Sequence, residues 1–377
     1  MEGQRVKLKK VNYKKVGAAI GLLLLVLLTL TVLFNRDRLT LAHLTRAIQY
    51  RNLGTAALAE EFHFTSPART FALLGDGLAV ASPMGVAVYD RTGSQVYAVP
   101  MTMGRPMIAS GGDFILVYDL GGVDIFVGNA RGELHRIEAE GPIVDVRINE
   151  NGWVTVSAEV TGTLGLVRVY NPQGQARYRV QAGAGTGHLM GAALAADNRT
   201  LVMLTITETG GRAAWFYIDT DGMQYEHIEE GELFFDFWFT SRRGDAGFVS
   251  SNMVRFLSNQ GESQGEHRFH DRHLRAYHAD GARIALHLTP HPAGAGGELV
   301  LVEATGVVHE TDVTGNLFDI SLRGRYLAAL SFDRLVIYRG DRVYATWDET
   351  EGMDHLLTRE DGTVFLLSSH RARLLVP

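Results

Sequence analysis

The chain reads as an all-β protein, a β-propeller of four-stranded blades, on three observations. First, Gly77, Gly112, Gly152, Asn198, Gly244, Gly281, Gly324 and Gly362 each stand between short aliphatic or β-branched runs. Second, Gly93, Gly132, Gly174, Gly222, Gly261, Gly306 and Gly340 form an offset set of the same kind. Third, the spacing within each set is mostly about 35 to 48 residues, the repeat of propeller blades, and the segments between lack the 3.6-residue apolar period of helical repeats. Eight turns of one kind against seven of the other predict eight blades, the last without an outer strand of its own. Seven blades is the alternative, if the short runs GFVSS (247–251) and MVRFLS (253–258) mark a degenerate fifth blade.

Residues 1–15 form a basic head. All five lysines lie there, and with Arg5 against Glu2 the head carries +5, so the chain's net −6 leaves −11 for the remainder. Residues 16–34 follow without a charge, long enough at ~1.5 Å per residue to cross most of a ~30 Å hydrocarbon core. The segment outruns the apolar core of a cleaved secretory signal and ends Thr31-Val32-Leu33-Phe34 rather than in small residues, so it reads as an uncleaved signal anchor, one transmembrane helix. The flank after it is far less positive than the head, which places the head in the cytoplasm and residues 57–377 outside the cell membrane. Between them, 35–56 read as a juxtamembrane tether with Leu41, Leu44 and Ile48 on one helical face and Gly54 as a stop.

The propeller opens with AEEFHFT (59–65), which alternates like an outer strand and can complete the last blade. Closure by a strand from the other end of the chain removes the sheet edges that would invite aggregation. Blade three shows the module: PIVDVRI, WVTVSAE, LVRVY and ARYRV are strands a to d, counted outward, with Asn149, Asn151 and Gly152 in the a–b turn and Asn171, Pro172 and Gly174 in the c–d turn. Strands alternate in direction, so a–b and c–d turns share one face while b–c and d–a connections share the other. The second face carries the longer segments, 182–188, 266–274, 289–297 and 347–353, and is the expected binding face. A closing d strand starts at the tight-turn face, so the tether enters there and the loop-rich face looks away from the membrane.

Candidate side chains follow from that placement. His267, His270, Asp271, Arg272 and His273 stand on the expected connection into blade six, with His291 on that blade's b–c loop. Imidazoles and a carboxylate at this density are metal-ligand types, yet the spacing matches no fixed ligand pattern and arginines intervene, so a mixed-charge recognition surface is expected and no metal. Asp348, Glu349 and Glu351 form an acidic sector on the connection into blade eight. Asp219-Thr220-Asp221-Gly222 is a hairpin turn, since Met223 and Gln224 follow where a calcium loop needs an oxygen ligand and a glycine, respectively. Absence of cysteine excludes disulfides, thiolate metal sites, a lipoprotein anchor and a cysteine nucleophile. A lysine-free, acidic ectodomain argues against nucleic acid and other polyanions as partners and excludes a Schiff-base lysine there. No cofactor is expected.

GLAVASPMGVAVYDRTGSQV (77–96) and GRPMIASGGDFILVYDLGG (104–122) resemble an uncharacterised family of Firmicutes, domain-of-unknown-function family 5711. The resemblance implies a membrane-anchored, quinoprotein-like or WD40-like propeller of unassigned activity and transfers no functional residue. Two readings therefore stand at this point. One is a non-enzymatic binding or assembly scaffold for an envelope protein, peptide or glycan. The other is an extracytoplasmic hydrolase or lyase working in the axial funnel, which would need free carboxylates and histidines converging in a closed pocket.

Overall fold

The computed structural model describes residues 57–377, apart from positions 221, 293 and 294. The head, anchor and tether expected over 1–15, 16–34 and 35–56 lie outside the described residues. Among the described residues there are eight four-stranded antiparallel sheets, and no helix is long and apolar enough to cross a membrane.

Blades one to seven take their four strands consecutively from the chain, and blade eight is built from both ends. Its inner strands His355–Thr358, Val364–Leu367 and Arg371–Val376 are completed by Ala57–His63, paired from Ala57 opposite Val376 to His63 opposite Arg371. The closing strand was expected at 59–65 and lies two residues earlier. Phe62 is buried at this seam, its ring 5.4 Å from that of Tyr89 in blade one. Glu61 takes ion pairs from both Arg371 and Arg373 at 3.3 and 3.0 Å. On the inner side, His355 of blade eight stacks on Phe71 of blade one at 5.8 Å, and Arg359 reaches Asp76. The seam thus combines aromatic contacts and ion pairs at both its outer and its inner strands.

Middle strands are covered on both faces and outer strands on one, which is why Gly77–Ser82 is buried throughout while Gln95–Pro100 alternates. Cores form between neighbouring blades: Leu116, Tyr118, Ile125 and Val127 of blade two pack on Ile143, Val146 and Val156 of blade three. Blade five is complete, although its inner pair, Asp236–Phe239 and Ala246–Val249, is short. Aromatic volume replaces strand length there. Phe237 stacks on Phe248 at 5.6 Å, Phe234 and Trp215 close around them, and Gly247 leaves room for the Trp238 ring.

Every glycine of the second turn set has positive φ, as have seven of the eight residues of the first. The exception is Gly77, which opens a strand; Gly75 takes the turn at φ +55°. Two of these glycines are also contacts. A Cβ on Gly152 (φ +81°) would meet the Phe114 ring of blade two at 2.9 Å, and one on Gly362 (φ +85°) would meet the Tyr326 ring of blade seven at 2.7 Å. The left-handed turn and the seat for the preceding blade's ring are therefore one requirement.

Candidate binding faces

On the loop-rich face the histidine-rich segment is spread over three structural settings. His267 belongs to the outer strand Ser263–Arg268 of blade five, not to the loop as expected. Its ring lies 6.1 Å from that of Phe269, and burial, with Arg272 and His270 adding to it, lowers its pKa. Only His270 and Asp271 occupy the turn, both left-handed at φ +48° and +62°, closed by the Arg272 amide donating to the Phe269 carbonyl at 3.2 Å. His273 begins the inner strand of blade six. Thr289 Oγ1 donates to the carbonyls of both His273 and His291, which draws these two positions together. Among the described residues no three His, Asp or Glu side chains form a group fit to hold a metal ion.

Arg272 is the structural member of this set. Its guanidinium pairs with Glu298 and, at 3.2 Å, with Glu310, while its Nε donates to the Phe269 carbonyl at 2.9 Å. It fastens the strained turn to the outer half of blade six and borders a hollow of about 430 Å³ with Leu288, Pro290 and Asp312.

The acidic sector between blades seven and eight is held by its main chain. The carbonyls of Glu349 and Glu351 accept from Arg373 and Arg371 at 3.0 and 3.1 Å, and the buried Thr350 hydroxyl donates to the Phe332 carbonyl at 3.0 Å. Asp348 pairs with Arg334 at 3.0 Å. Beside these residues stand two aromatic rings that the sequence reading missed. Phe318 is 48% exposed and Phe332 65%, in edge contact at 6.4 Å. In LFDISL, Phe318 looks like one more strand residue. A bulge between Leu317 and Asp319 takes it out of register, and the inner strands of blades three, four and six carry bulges at the matching place. Such bulges re-aim side chains at the rim of a sheet. Leu233 and Phe235, on the connection into blade five, are also exposed on this face.

The tight-turn face holds a feature the sequence reading did not place there, an axial cavity of about 420 Å³ bordered by the a–b turns of blades three, four and five. Arg147 of blade three crosses in front of blade four to reach blade five. It donates to Asp145 at 2.8 Å, to Asp236 at 2.6 Å and to the Phe237 carbonyl at 2.8 Å, and its guanidinium lies 5.0 Å from the centre of the Phe237 ring. Gly191 makes the crossing feasible, since a Cβ there would stand 2.7 Å from the Asp145 carboxylate. Burial opposes the charge on Arg147, but the two carboxylates outweigh it and hold its pKa above the ordinary value. Tyr277 of blade six donates to Asp236 at 2.8 Å, and burial, with Asp236 beside it, keeps its hydroxyl protonated. The polar groups here are committed to one another and tie blades three, five and six together. A charged Asp-x-Arg inside an aliphatic strand was the signal available for it.

Comparison with known proteins bears on the fold. Residues 50–214 match the model of a family of unknown function, DUF5711. No curated protein matches this chain by sequence. Among solved structures it is similar to Sqt1 of Saccharomyces cerevisiae, with a TM-score of 0.63 and 10% identity over 86% of this chain and 100% of that one. The C-terminal WD40 domain of Sif2 gives 0.59 and 13% over 86% and 97%. BamB of Moraxella catarrhalis gives 0.55 and 14% over 86% and 98%. At these identities the likeness establishes a propeller and nothing finer.

Proposed function

We propose that this protein is a membrane-anchored extracytoplasmic propeller that acts as a binding or assembly scaffold, presenting its b–c and d–a connections to an envelope protein, peptide or glycan. The observation that carries the reading is the group of apolar side chains left exposed on that face, Phe332, Phe318, Leu233 and Phe235, with Met84 on the b–c connection of blade one. Phe332, Leu233 and Phe235 sit on hydrogen-bonded connections and Phe318 at the bulged start of an inner strand, so a partner meets a surface whose ordering cost is already met. Large exposed aromatics on a rigid platform are the residue types that dominate binding energy when a partner covers them. The axial cavity supports the same reading, because its charged side chains are occupied with one another and with neighbouring blades: Arg147 with Asp145 and Asp236, and Arg242 with Glu150. The propeller likeness is consistent with a binding role. The uncharged run 16–34 behind a basic head supports anchorage.

Site-specific photocrosslinking in cells tests the proposal. A photoreactive phenylalanine analogue at position 332 should trap one reproducible partner, whereas the same analogue at Arg131, exposed on a tight turn, should not. Equal labelling from both faces, or none from position 332, would defeat it.

A further inference from the structure

We infer that the sector shared by blades seven and eight recognises a basic segment of a partner protein that carries an aromatic or aliphatic anchor. This rests on the scaffold reading above and names the chemistry of its partner.

The anchor site is Phe318 and Phe332. Phe332 occupies the b–c connection of blade seven, and this connection is rigid: the Ser331 amide and hydroxyl donate to the Arg334 carbonyl at 2.8 and 2.9 Å, and the same hydroxyl bonds Asp333. Thr350 adds the bond that ties Phe332 to the acidic connection of the next blade. An exposed ring held on two sides is a platform, not a loose side chain.

Charge decides what the platform takes. The arginines of the sector are Arg334, Arg371 and Arg373; Asp348 answers the first and Glu61 the other two, while His355 faces Asp319 at 3.8 Å. Beyond these pairs lie Asp333, Glu349, Glu351 and Asp354, none of which forms an ion pair among the described residues, so carboxylates are in excess. The main-chain anchoring of Glu349 and Glu351 frees their carboxylates, since the arginines beside them are spent on the carbonyls and on Glu61. An apolar centre with an acidic rim complements a lysine- or arginine-flanked apolar residue. It repels a polyanion, and an uncharged glycan can hydrogen-bond the rim carboxylates but gains no charge attraction from them. Rim charges of this kind act on encounter rate and salt dependence more than on the depth of binding.

Selection from a displayed library of random twelve-residue peptides, against the full-length chain in detergent, tests the inference. Enriched peptides should be strongly basic with at least one aromatic or large aliphatic residue. They should lose about tenfold or more in affinity, equivalent to ~1.4 kcal/mol, on Phe332→Ser, and weaken several-fold on Glu349→Gln with Glu351→Gln. Raising salt should weaken the wild type more than the Glu349→Gln, Glu351→Gln variant. Enrichment of neutral or acidic peptides, indifference to these substitutions, or no enrichment would overturn it. If position 332 traps a partner in cells through a neutral or acidic segment, the scaffold reading survives and this inference falls; if it traps none, both fall.

Discussion

On the tight-turn face, Gly152 and Gly362 combine a left-handed turn with a seat for the neighbouring blade's aromatic ring, and asparagines bond across the turns: Asn149 and Asn151 both donate to Asn198 Oδ1 at 2.9 and 3.1 Å. On the loop-rich face, Phe318 and Phe332 touch each other and solvent, and the connection bearing Phe332 is held from behind through its main-chain carbonyl by Thr350. The first face consumes its side chains in joining blades, while the second spends backbone bonds and leaves side chains over. Stability and recognition should therefore come apart by face.

Substitution can break or sharpen that contrast. The largest loss is expected at the seam: Phe62→Ala should cost about 3–5 kcal/mol in urea unfolding and raise self-association as blade eight loosens its outer strand. Next, Gly362→Ala should cost about 2–5 kcal/mol, combining left-handed strain with overpacking against Tyr326. In a Tyr326→Ala background the penalty should shrink to the strain of about 1–2 kcal/mol; an unchanged penalty would show that the turn glycine is no blade contact.

Two histidines give a smaller effect, of opposite sign, along the inner strands. His278 accepts the Leu322 amide at 3.2 Å through Nδ1, and burial holds its pKa below the ordinary 6.5 despite Asp319 and Asp280. Its neutral form is the folded one, so its contribution is full above pH ~6.5 and is lost as pH falls toward its lowered folded pKa. His355, at the loop-rich end, is raised by Asp319 against burial, with Asp354 assisting. Its contribution is full below pH ~6.5 and lost as pH rises through its elevated folded value. Urea midpoints across this range should lose their acid-side decline in His278→Gln and their alkaline-side decline in His355→Gln. The smallest effect on stability belongs to the binding face, where Phe332→Ser should stay within about 0.5 kcal/mol of wild type while weakening the selected peptides about tenfold.

The blade plan was legible because turn chemistry is local. Positive φ in the a–b and c–d turns is taken by Gly or Asn, so the repeat, the eighth blade and the borrowed strand could be read residue by residue, with Gly75 for Gly77 as a two-residue slip. What stayed hidden depends on chain segments far apart. The link from Arg147 to Asp236 spans 89 residues, and the small Gly191 that lets it pass belongs to an intervening blade. Phe318 was hidden for a different reason, since a bulge reverses the side a residue faces without altering composition. His267 was assigned to a loop on its polarity, whereas an outer strand tolerates polar residues on its exposed side.

Closure of the ring by Ala57–His63 carries a consequence for biosynthesis. Glu61 leaves the ribosome 312 residues ahead of Arg373, its ion-pair partner, an interval of roughly 15–60 s at ordinary elongation rates. Throughout that interval the earliest strand has no mate, and a chain cut short before Arg371 never acquires one. Translation pausing late in the message, or a stop codon near its end, would release molecules with nearly every blade assembled and a gap still open, the species on which holding chaperones and proteases would act first.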